Sequence, residues 1–278
     1  MKYKLIAIDL DGTLLTDNKK VSKANKNILQ KLINKGYKVV IATGRRYSTA
    51  KRFVEEIDDD LIIFANNGNI VRNIKDDKVI LKKYLNVDDF HTIVKEGKKI
   101  GLHPIIHVDY FEEGYDILVE LDVNDSKYSS YFSGKVESYR KVEDLLLIED
   151  PRVLTVVYMG DEDEIESFLD IVIEKYPKKY SSNIMENITS AGALLEIMNP
   201  LGSKWLSLEE YSKEKGISRE EIIAIGDDNN DIEMIKKAGL GIAMKNASFG
   251  VKKVADIITK EDNNEDGVAN ILREVLNI

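Results

Sequence analysis

The chain has 278 residues, of which 43% are hydrophobic and 32% are charged, and its formal net charge is −9. This length is comfortable for two domains, and the composition is that of an ordinary globular protein rather than a disordered one. No basic stretch is interleaved with aromatic residues, which argues against a nucleic-acid groove or an anionic membrane surface as the partner. The absence of cysteine excludes disulfides, thiolate catalysis and cysteine-based zinc sites.

The N-terminal part has alternating strand and helix patterns. Residues 6–8 form an apolar first strand, and a helical spacing of apolar residues follows over 21–36. A strand over 37–42, a helix over 47–57 and a strand over 61–65 come next. This β-α-β-α-β order predicts an α/β fold with a doubly wound, mostly parallel (Rossmann-like) sheet and right-handed crossovers.

The first residues lead directly into the first strand, without the charged region, apolar segment and cleavage site of a secretion signal. No run approaches the ~18 apolar residues of a membrane-spanning helix. We therefore expect a cytoplasmic location.

Residues 84–198 break this alternation. Just before this segment, a turn at Asn66-Asn67-Gly68 leads into a predicted hairpin of residues 70–71 and 79–81. The later segments are helices over 87–100 and 161–176 and extended stretches over 103–108, 115–123, 153–159, 184–188 and 193–198. Strands without regular βα alternation predict an inserted α+β domain.

The βα alternation returns after Pro200. Its segments are a helix over 203–215, a strand over 222–226, a helix from about 232, a strand over 240–243 and a strand-helix pair over 256–258 and 267–276. We therefore expect residues 1–83 and 199–278 to form one core domain around a single sheet, interrupted by an inserted α+β domain at 84–198.

Two carboxylates stand directly after the first strand. Asp9 and Asp11 are separated by one residue and followed by Gly12 and Thr13. Side chains two residues apart on an extended backbone share one face, and acids at the carboxyl end of a strand in such a sheet point into the ligand crevice. Carboxylates this close repel each other unless a cation lies between them, and magnesium is the first candidate.

Polar residues also follow other predicted elements at the same edge of the sheet. They are Thr43-Gly44 after the second strand, Lys204 at a helix start, and the segment from Asp227 to Asp231 after the strand 222–226. Phosphoryl transfer needs such a set: an in-line nucleophile, a divalent cation, and hydroxyl, amide and ammonium donors for the phosphate oxygens. Asp9 is the candidate nucleophile, and Asp11 is the candidate acid and base.

In their order along the chain these segments resemble the four motifs of the haloacid dehalogenase-like (HAD) phosphatases. The matching segments are Asp9-Leu10-Asp11-Gly12-Thr13, Ala42-Thr43-Gly44-Arg45, Lys204 and Gly226-Asp227-Asp228-Asn229-Asn230-Asp231. The insertion between the second and third motifs resembles the large α+β cap of the Cof-type branch. The resemblance covers the whole chain, and a chance match to the first motif alone is expected at on the order of 10⁻³ for this length.

The resemblance implies a role for each matched residue. Asp9 is implied as nucleophile and metal ligand, Asp11 as acid and base with its backbone carbonyl on the metal, and Asp227 as the third metal ligand. The implied phosphate-binding residues are Leu10, Thr43, Gly44, Lys204 and Asn230. Asp231 is expected to orient Lys204 or a metal-bound water, and the implied cofactor is Mg²⁺.

Two positions depart from the family's pattern. Trp205 follows the motif lysine in place of glycine, which predicts a crowded helix start, and Asn69 replaces a small residue after the Asn-Gly turn. Outside the motifs, Arg45 is open between a structural ion pair and a substrate contact. His103 and His107 are open between structural roles and contact with the substrate.

We therefore expect a magnesium-dependent phosphatase of small metabolites, such as sugar phosphates or phosphorylated cofactors. It would act through a phosphoaspartate on Asp9, with the cap closing over the crevice and selecting the leaving group. A HAD-type phosphomutase of hexose phosphates would instead return the phosphate to a sugar, and multi-turnover phosphate release separates the two. A receiver-like signalling module, which is much shorter, and a metal-binding protein without turnover are the alternatives from other classes.

Overall fold

The computed structural model describes residues 2–132, 138–189 and 192–278. The chain divides into two compact units, here called the core unit (Met1–Lys82 and Ser203–Ile278) and the inserted unit (Lys83–Gly202). Each unit contains its own sheet. Within the described ranges, no helix has both the length and the apolar character needed to cross a bilayer.

Two sheets and the helices packed on them account for the regular structure of the described residues. The strands, in chain order, are β1 (Leu5–Ile8), β2 (Lys38–Ala42), β3 (Ile62–Ala65), β4 (Ile70–Asn73), β5 (Val79–Lys82), β6 (Ile105–Val108), β7 (Ile117–Val119), β8 (Tyr139–Lys141), β9 (Val153–Gly160), β10 (Ser181–Thr189), β11 (Gly192–Met198), β12 (Ile222–Gly226), β13 (Leu240–Ala243) and β14 (Ile257–Ile258). The α-helices are α1 (Lys23–Asn34), α2 (Tyr47–Val54), α3 (Val87–Lys99), α4 (Ser126–Phe132), α5 (Glu162–Lys175), α6 (Lys204–Glu214), α7 (Ile232–Lys237), α8 (Phe249–Val254) and α9 (Gly267–Leu276).

The sheet of the core unit has the strand order β14-β13-β12-β1-β2-β3-β4-β5. Strands from β14 to β3 are parallel, as predicted, and β4 and β5 form the predicted hairpin. In the central strand β1, Leu5 pairs with Lys38 on one side and with Ile222 on the other, and all four residues of β1 are fully buried. Because β2, β1 and β12 are parallel neighbours, the loops after their carboxyl ends meet at one edge of the sheet.

Helix ends in the core unit follow their capping residues. The Ser22 side chain accepts a hydrogen bond from a backbone N–H in the first turn of α1, and Gly36, with a φ of +87°, follows its end. The predicted helix over 47–57 was too long, because α2 ends at Val54. Ile57 instead donates a backbone hydrogen bond to the Val54 carbonyl in a tight turn, where its buried side chain extends the apolar pattern beyond the helix.

The sheet of the inserted unit has the strand order β10-β11-β9-β6-β7-β8, and its pairs are antiparallel except β7 with β8. Helices α3 and α5 pack on one face through residues such as Phe90 and Phe168. The other face carries Tyr128 and Phe132 of α4 in a second apolar cluster. This unit therefore has the α+β architecture that the sequence predicted.

Glu96 on α3 is a nearly buried carboxylate that accepts three hydrogen bonds within the inserted unit. The donors are Lys175 at 2.8 Å, Lys99 at 2.8 Å and the hydroxyl of Tyr176 at 3.2 Å. The hydrogen bonds from Lys175 and Lys99 lower the pKa of Glu96 to about 2. The ionised carboxylate therefore stabilises the folded inserted unit.

We expect Glu96→Gln to reduce the free energy of unfolding by about 1 kcal/mol at neutral pH, a modest value because both lysines are largely exposed. The folded-state pKa lies below the unfolded value of about 4.3, so this stabilisation is fully present above that value and is lost as the pH falls toward about 2. Urea denaturation across this pH range should show the gap between wild type and variant closing. The exposed Glu166→Gln on α5 is the matched control, and a gap independent of pH would contradict the assignment.

Candidate active site

Asp9 is the first residue after β1 and is 5% exposed. Its backbone N–H donates to the Ile225 carbonyl of β12 at 2.9 Å, so the pairing of β1 with β12 continues to this residue. Gly12 then turns the chain with a φ of +72°, a left-handed conformation that glycine adopts without strain. A Cβ at Gly12 would lie 2.2 Å from Oδ2 of Asp227, so the loops after β1 and β12 pack directly together.

Lys204 is the first residue of α6, whose N-cap Ser203 accepts the backbone N–H of Leu206. Its side chain is 1% exposed, and Nζ lies 2.6 Å from Oδ1 of Asp9 and 2.7 Å from Oδ1 of Asp231. Burial alone would lower the pKa of this ammonium, but the two carboxylates outweigh that effect and raise the pKa above its usual value. Lys204 therefore remains charged and neutralises part of the buried acid cluster.

Three acids form that cluster, with carboxylate oxygens of Asp9, Asp227 and Asp231 within 4.8 Å of one another. The hydroxyl of Thr13 donates to Oδ1 of Asp227 at 2.7 Å. Burial, together with the neighbouring acids, raises the pKa of Asp9 and raises that of Asp227 to about 7. A hard divalent cation such as Mg²⁺ prefers oxygen ligands and would supply the missing positive charge. The residues present therefore fit a divalent metal ion.

Asp231 differs from the other two acids because both of its oxygens accept hydrogen bonds from the protein. Oδ1 accepts from Lys204, and Oδ2 accepts from the backbone N–H groups of Asp227 at 3.0 Å and Asp228 at 3.2 Å. This geometry fits a residue that orients the lysine. It leaves Asp9 and Asp227 better placed than Asp231 to coordinate a metal ion.

The carboxylate of Asp11 is not part of the acid cluster and pairs with two cations. Its Oδ2 lies 2.5 Å from Nε of Arg45, its Oδ1 lies 2.6 Å from Nη2 of Arg45, and Lys19 Nζ lies 2.8 Å from Oδ1. Burial raises the pKa of Asp11, but the hydrogen bonds and charges of Arg45 and Lys19 outweigh it and hold the pKa below its usual value. Of the two roles left open for Arg45, the structure shows the ion pair.

The residues expected to bind phosphate lie at the same edge of the sheet. Thr43 follows β2, is 1% exposed, and accepts a backbone N–H on its hydroxyl at 3.1 Å. Nδ2 of Asn230 donates to Oδ1 of Asn67 at 3.0 Å, and a Cβ at Gly44 would lie 3.4 Å from that oxygen. The side chain of Leu10 is fully buried, so only its backbone is available to a ligand.

The two departures from the motif pattern are both buried. Trp205 is 1% exposed, and the preceding Lys204 still reaches two carboxylates. Asn69 is fully buried, and its Nδ2 donates to the Asn66 carbonyl at 2.7 Å, which closes the turn after β3. The departure at Trp205 therefore leaves the lysine in contact with both acids.

Sequence reasoning did not single out several contacts of this region. The first motif includes Thr13 and the Asn-Gly turn includes Asn67, so the sequence marked both residues but not their contacts. Lys19 lies in a polar loop that no motif or turn signal marks. In the inserted unit, Nε2 of His107 lies 2.5 Å from the hydroxyl of Tyr131, so this histidine has a partner inside its own unit.

Comparison with known proteins defines the class. The sequence pattern of the haloacid dehalogenase-like hydrolases matches residues 6–272, and the chain belongs to that family. Among relatives from Bacillus subtilis, it is 30% identical over 271 residues to the 5-amino-6-(5-phospho-D-ribitylamino)uracil phosphatase YcsE, covering 97% of this chain and 94% of YcsE. It is 29% identical over 287 residues to the phosphatase of the same name YitU, covering 100% of this chain and 99% of YitU.

A solved structure supports the same class. The crystal structure of a haloacid dehalogenase-like hydrolase from Bacteroides thetaiotaomicron superposes with a TM-score of 0.83 at 28% identity, covering 99% of this chain and 100% of that chain. The protein is therefore a hydrolase of this family, with the α/β fold that its sequence predicted.

Proposed function

We propose that this protein is a Mg²⁺-dependent phosphatase that hydrolyses phosphate monoesters of small metabolites through a phosphoaspartate on Asp9. The observation that carries the proposal is the buried cluster of Asp9, Asp227 and Asp231 around the ammonium of Lys204. Membership of the hydrolase family and the names of the phosphatases YcsE and YitU support the reaction class.

The proposed reaction uses two carboxylates. A carboxylate oxygen of Asp9 attacks phosphorus, the ester P–O bond breaks, and the leaving oxygen takes a proton from Asp11. Water then attacks phosphorus, Asp11 takes its proton, and inorganic phosphate leaves with the Asp9 carboxylate restored. Lys204 orients Asp9 throughout, and a bound Mg²⁺ would offset the negative charge of the phosphate oxygens.

The ion pair of Asp11 with Arg45 bears on the first step. While it faces two cations, the carboxylate of Asp11 is held unprotonated and cannot act as an acid. An incoming phosphate dianion competes for the same guanidinium, which binds phosphate through two parallel hydrogen bonds. We therefore expect ester binding to draw Arg45 away from Asp11, after which Asp11 takes up from solvent the proton that the leaving group needs.

Two further roles are phosphate binding and selection of the leaving group. We assign the phosphate oxygens to Thr43, the backbone at Leu10 and Gly44, Lys204 and Asn230, because these groups gather at the edge that carries Asp9. We assign the core unit as the catalytic domain and the inserted unit as the cap domain that selects the leaving group.

The test is phosphate release from a panel of sugar phosphates, nucleotides, phosphorylated cofactors and 5-amino-6-(5-phospho-D-ribitylamino)uracil. With Mg²⁺ we expect many turnovers per enzyme, and chelation should reduce the rate at least about 100-fold, with recovery when Mg²⁺ is restored. Full activity with chelator would contradict the metal role. Transfer of phosphate to a second sugar without release would favour the phosphomutase, and no reaction with any ester would contradict the proposed function.

A further inference from the structure

We propose that Asn67 is a positioning residue of the phosphate site, where it fixes the side-chain amide of Asn230. This inference rests on the proposed function, because it takes Asn230 as a phosphate ligand. Asn67 lies outside the four motifs, in the turn after β3, and is 3% exposed. The turn that carries Asn67 contacts three parts of the site: the loop of the second motif, the side chain of Asn230 and helix α6.

The first contact is through the backbone. Asn66, Asn67 and Gly68 have φ values of +48°, +55° and +86°, so three consecutive residues are left-handed. Asparagine tolerates this conformation better than most non-glycine residues. The N–H of Asn66 donates to the Arg45 carbonyl at 2.9 Å, and the N–H of Asn67 donates to the Thr43 carbonyl at 2.9 Å. The turn is thereby fastened to the loop that carries the second motif.

The second contact is through the side chain. Oδ1 of Asn67 accepts a hydrogen bond from Nδ2 of Asn230 at 3.0 Å. Gly44 lies against this pair, since a Cβ there would stand 3.4 Å from Oδ1 of Asn67 and 3.7 Å from Nδ2 of Asn230. A primary amide has two N–H donors, so one is held by Asn67 and the other remains for a phosphate oxygen. Asn67 thus sets the direction of the second donor.

The third contact joins the turn to the lysine helix. The carbonyl of Gly68 accepts the hydroxyl of Ser207 at 2.7 Å, and a Cβ at Gly68 would lie 2.8 Å from the carbonyl oxygen of Ser203. Glycine is therefore required both for its positive φ and for this close approach. Because α6 begins at Lys204, the same turn seats the residue that binds Asp9.

Asn67→Gly tests the role, because glycine keeps the left-handed backbone and deletes only the carboxamide. Calorimetric titration of the Mg²⁺-loaded enzyme with inorganic phosphate should show a Kd raised about five- to tenfold, the effect of one lost hydrogen bond. The affinity for Mg²⁺ alone should change by less than about twofold. In steady-state assays KM should rise more than kcat falls, which a general loss of structure would not produce.

A double-mutant cycle separates positioning from a local defect. Asn230→Ala should weaken phosphate binding to a similar extent, and adding Asn67→Gly to it should change the Kd by less than about twofold, because the shared hydrogen bond is already lost. Asn277→Gly is the matched control: it makes the same substitution at another left-handed residue, with a φ of +52° at the end of α9. It should leave phosphate binding unchanged.

The outcomes distinguish this inference from the proposed function. An Asn67→Gly enzyme that binds phosphate like the wild type, or effects of the two substitutions that add in full, would overturn the positioning role while ester hydrolysis by the wild type still stands. A wild type that neither binds phosphate nor releases it would overturn the proposed function, and the role of Asn67 with it.

Discussion

Replacing Asp9 with asparagine should lower the rate of phosphate release by at least about 10⁴-fold, because a carboxamide cannot form the acyl phosphate that carries the reaction. Asparagine keeps the size of the side chain and an oxygen for Lys204. It also removes one charge from a cluster in which the pKa of Asp9 is already raised, so the variant should remain folded. The measurement is phosphate release at saturating Mg²⁺ with the best ester of the panel.

A rapid acid quench followed by mass spectrometry gives a second readout. The wild type should carry one additional phosphoryl group during turnover, and Asp9→Asn should carry none. Asp59→Asn is the matched control, since Asp59 is an exposed carboxylate in the loop before β3, at the opposite end of the strands. It should keep activity within about twofold. More than a tenth of wild-type activity in Asp9→Asn would refute Asp9 as nucleophile.

Replacing Lys204 with methionine should abolish activity and reduce the free energy of unfolding by about 3–5 kcal/mol in metal-free buffer. Lys204 is the ammonium that contacts Asp9 and Asp231, and all three side chains are at most 7% exposed. Methionine fills much of the same volume, so the decrease in the free energy of unfolding comes from the uncompensated charge of the buried carboxylates and not from a cavity. Urea denaturation with and without Mg²⁺ is the measurement.

Two further results would identify charge as the cause. Saturating Mg²⁺ should recover part of the lost stability, because a cation that binds the folded acids favours the folded state. Lys213→Met is the matched control on the same helix: Lys213 is 70% exposed, pairs with Glu209 at 3.1 Å, and should contribute less than about 0.5 kcal/mol. If Lys204→Met were as stable as this control without metal, the charge-balance argument would fail.

The edge of the core sheet that carries the candidate site follows from sequence periodicity. Apolar runs separated by helical spacing predict parallel strands, and β1, β2 and β12 are parallel in the structure. Asp9, Thr43 and Asp227 each come directly after one of these strands. Parallel pairing therefore brings them together, regardless of how the individual loops are built.

The directions of the side chains within that edge were not predictable from the chain. Asp11 shares a motif with Asp9, yet its carboxylate turns to Arg45 and Lys19, because the nearest strong donors decide the rotamer of a partly exposed acid. Short elements were missed for a related reason. The seven residues of α4 and the three of β8 are too few to show a period.

The central position of β1 has a consequence for the order of folding during synthesis. Leu5 pairs with Ile222, and the whole inserted unit lies between them in sequence, so the middle of the core sheet closes only after the ribosome has made β12. In the inserted unit, the six strands that the described residues form come from one contiguous segment, so this unit needs no such delay. It can pair its own strands while β1 still lacks β12 on one side, so the inserted domain can be completed before the core domain.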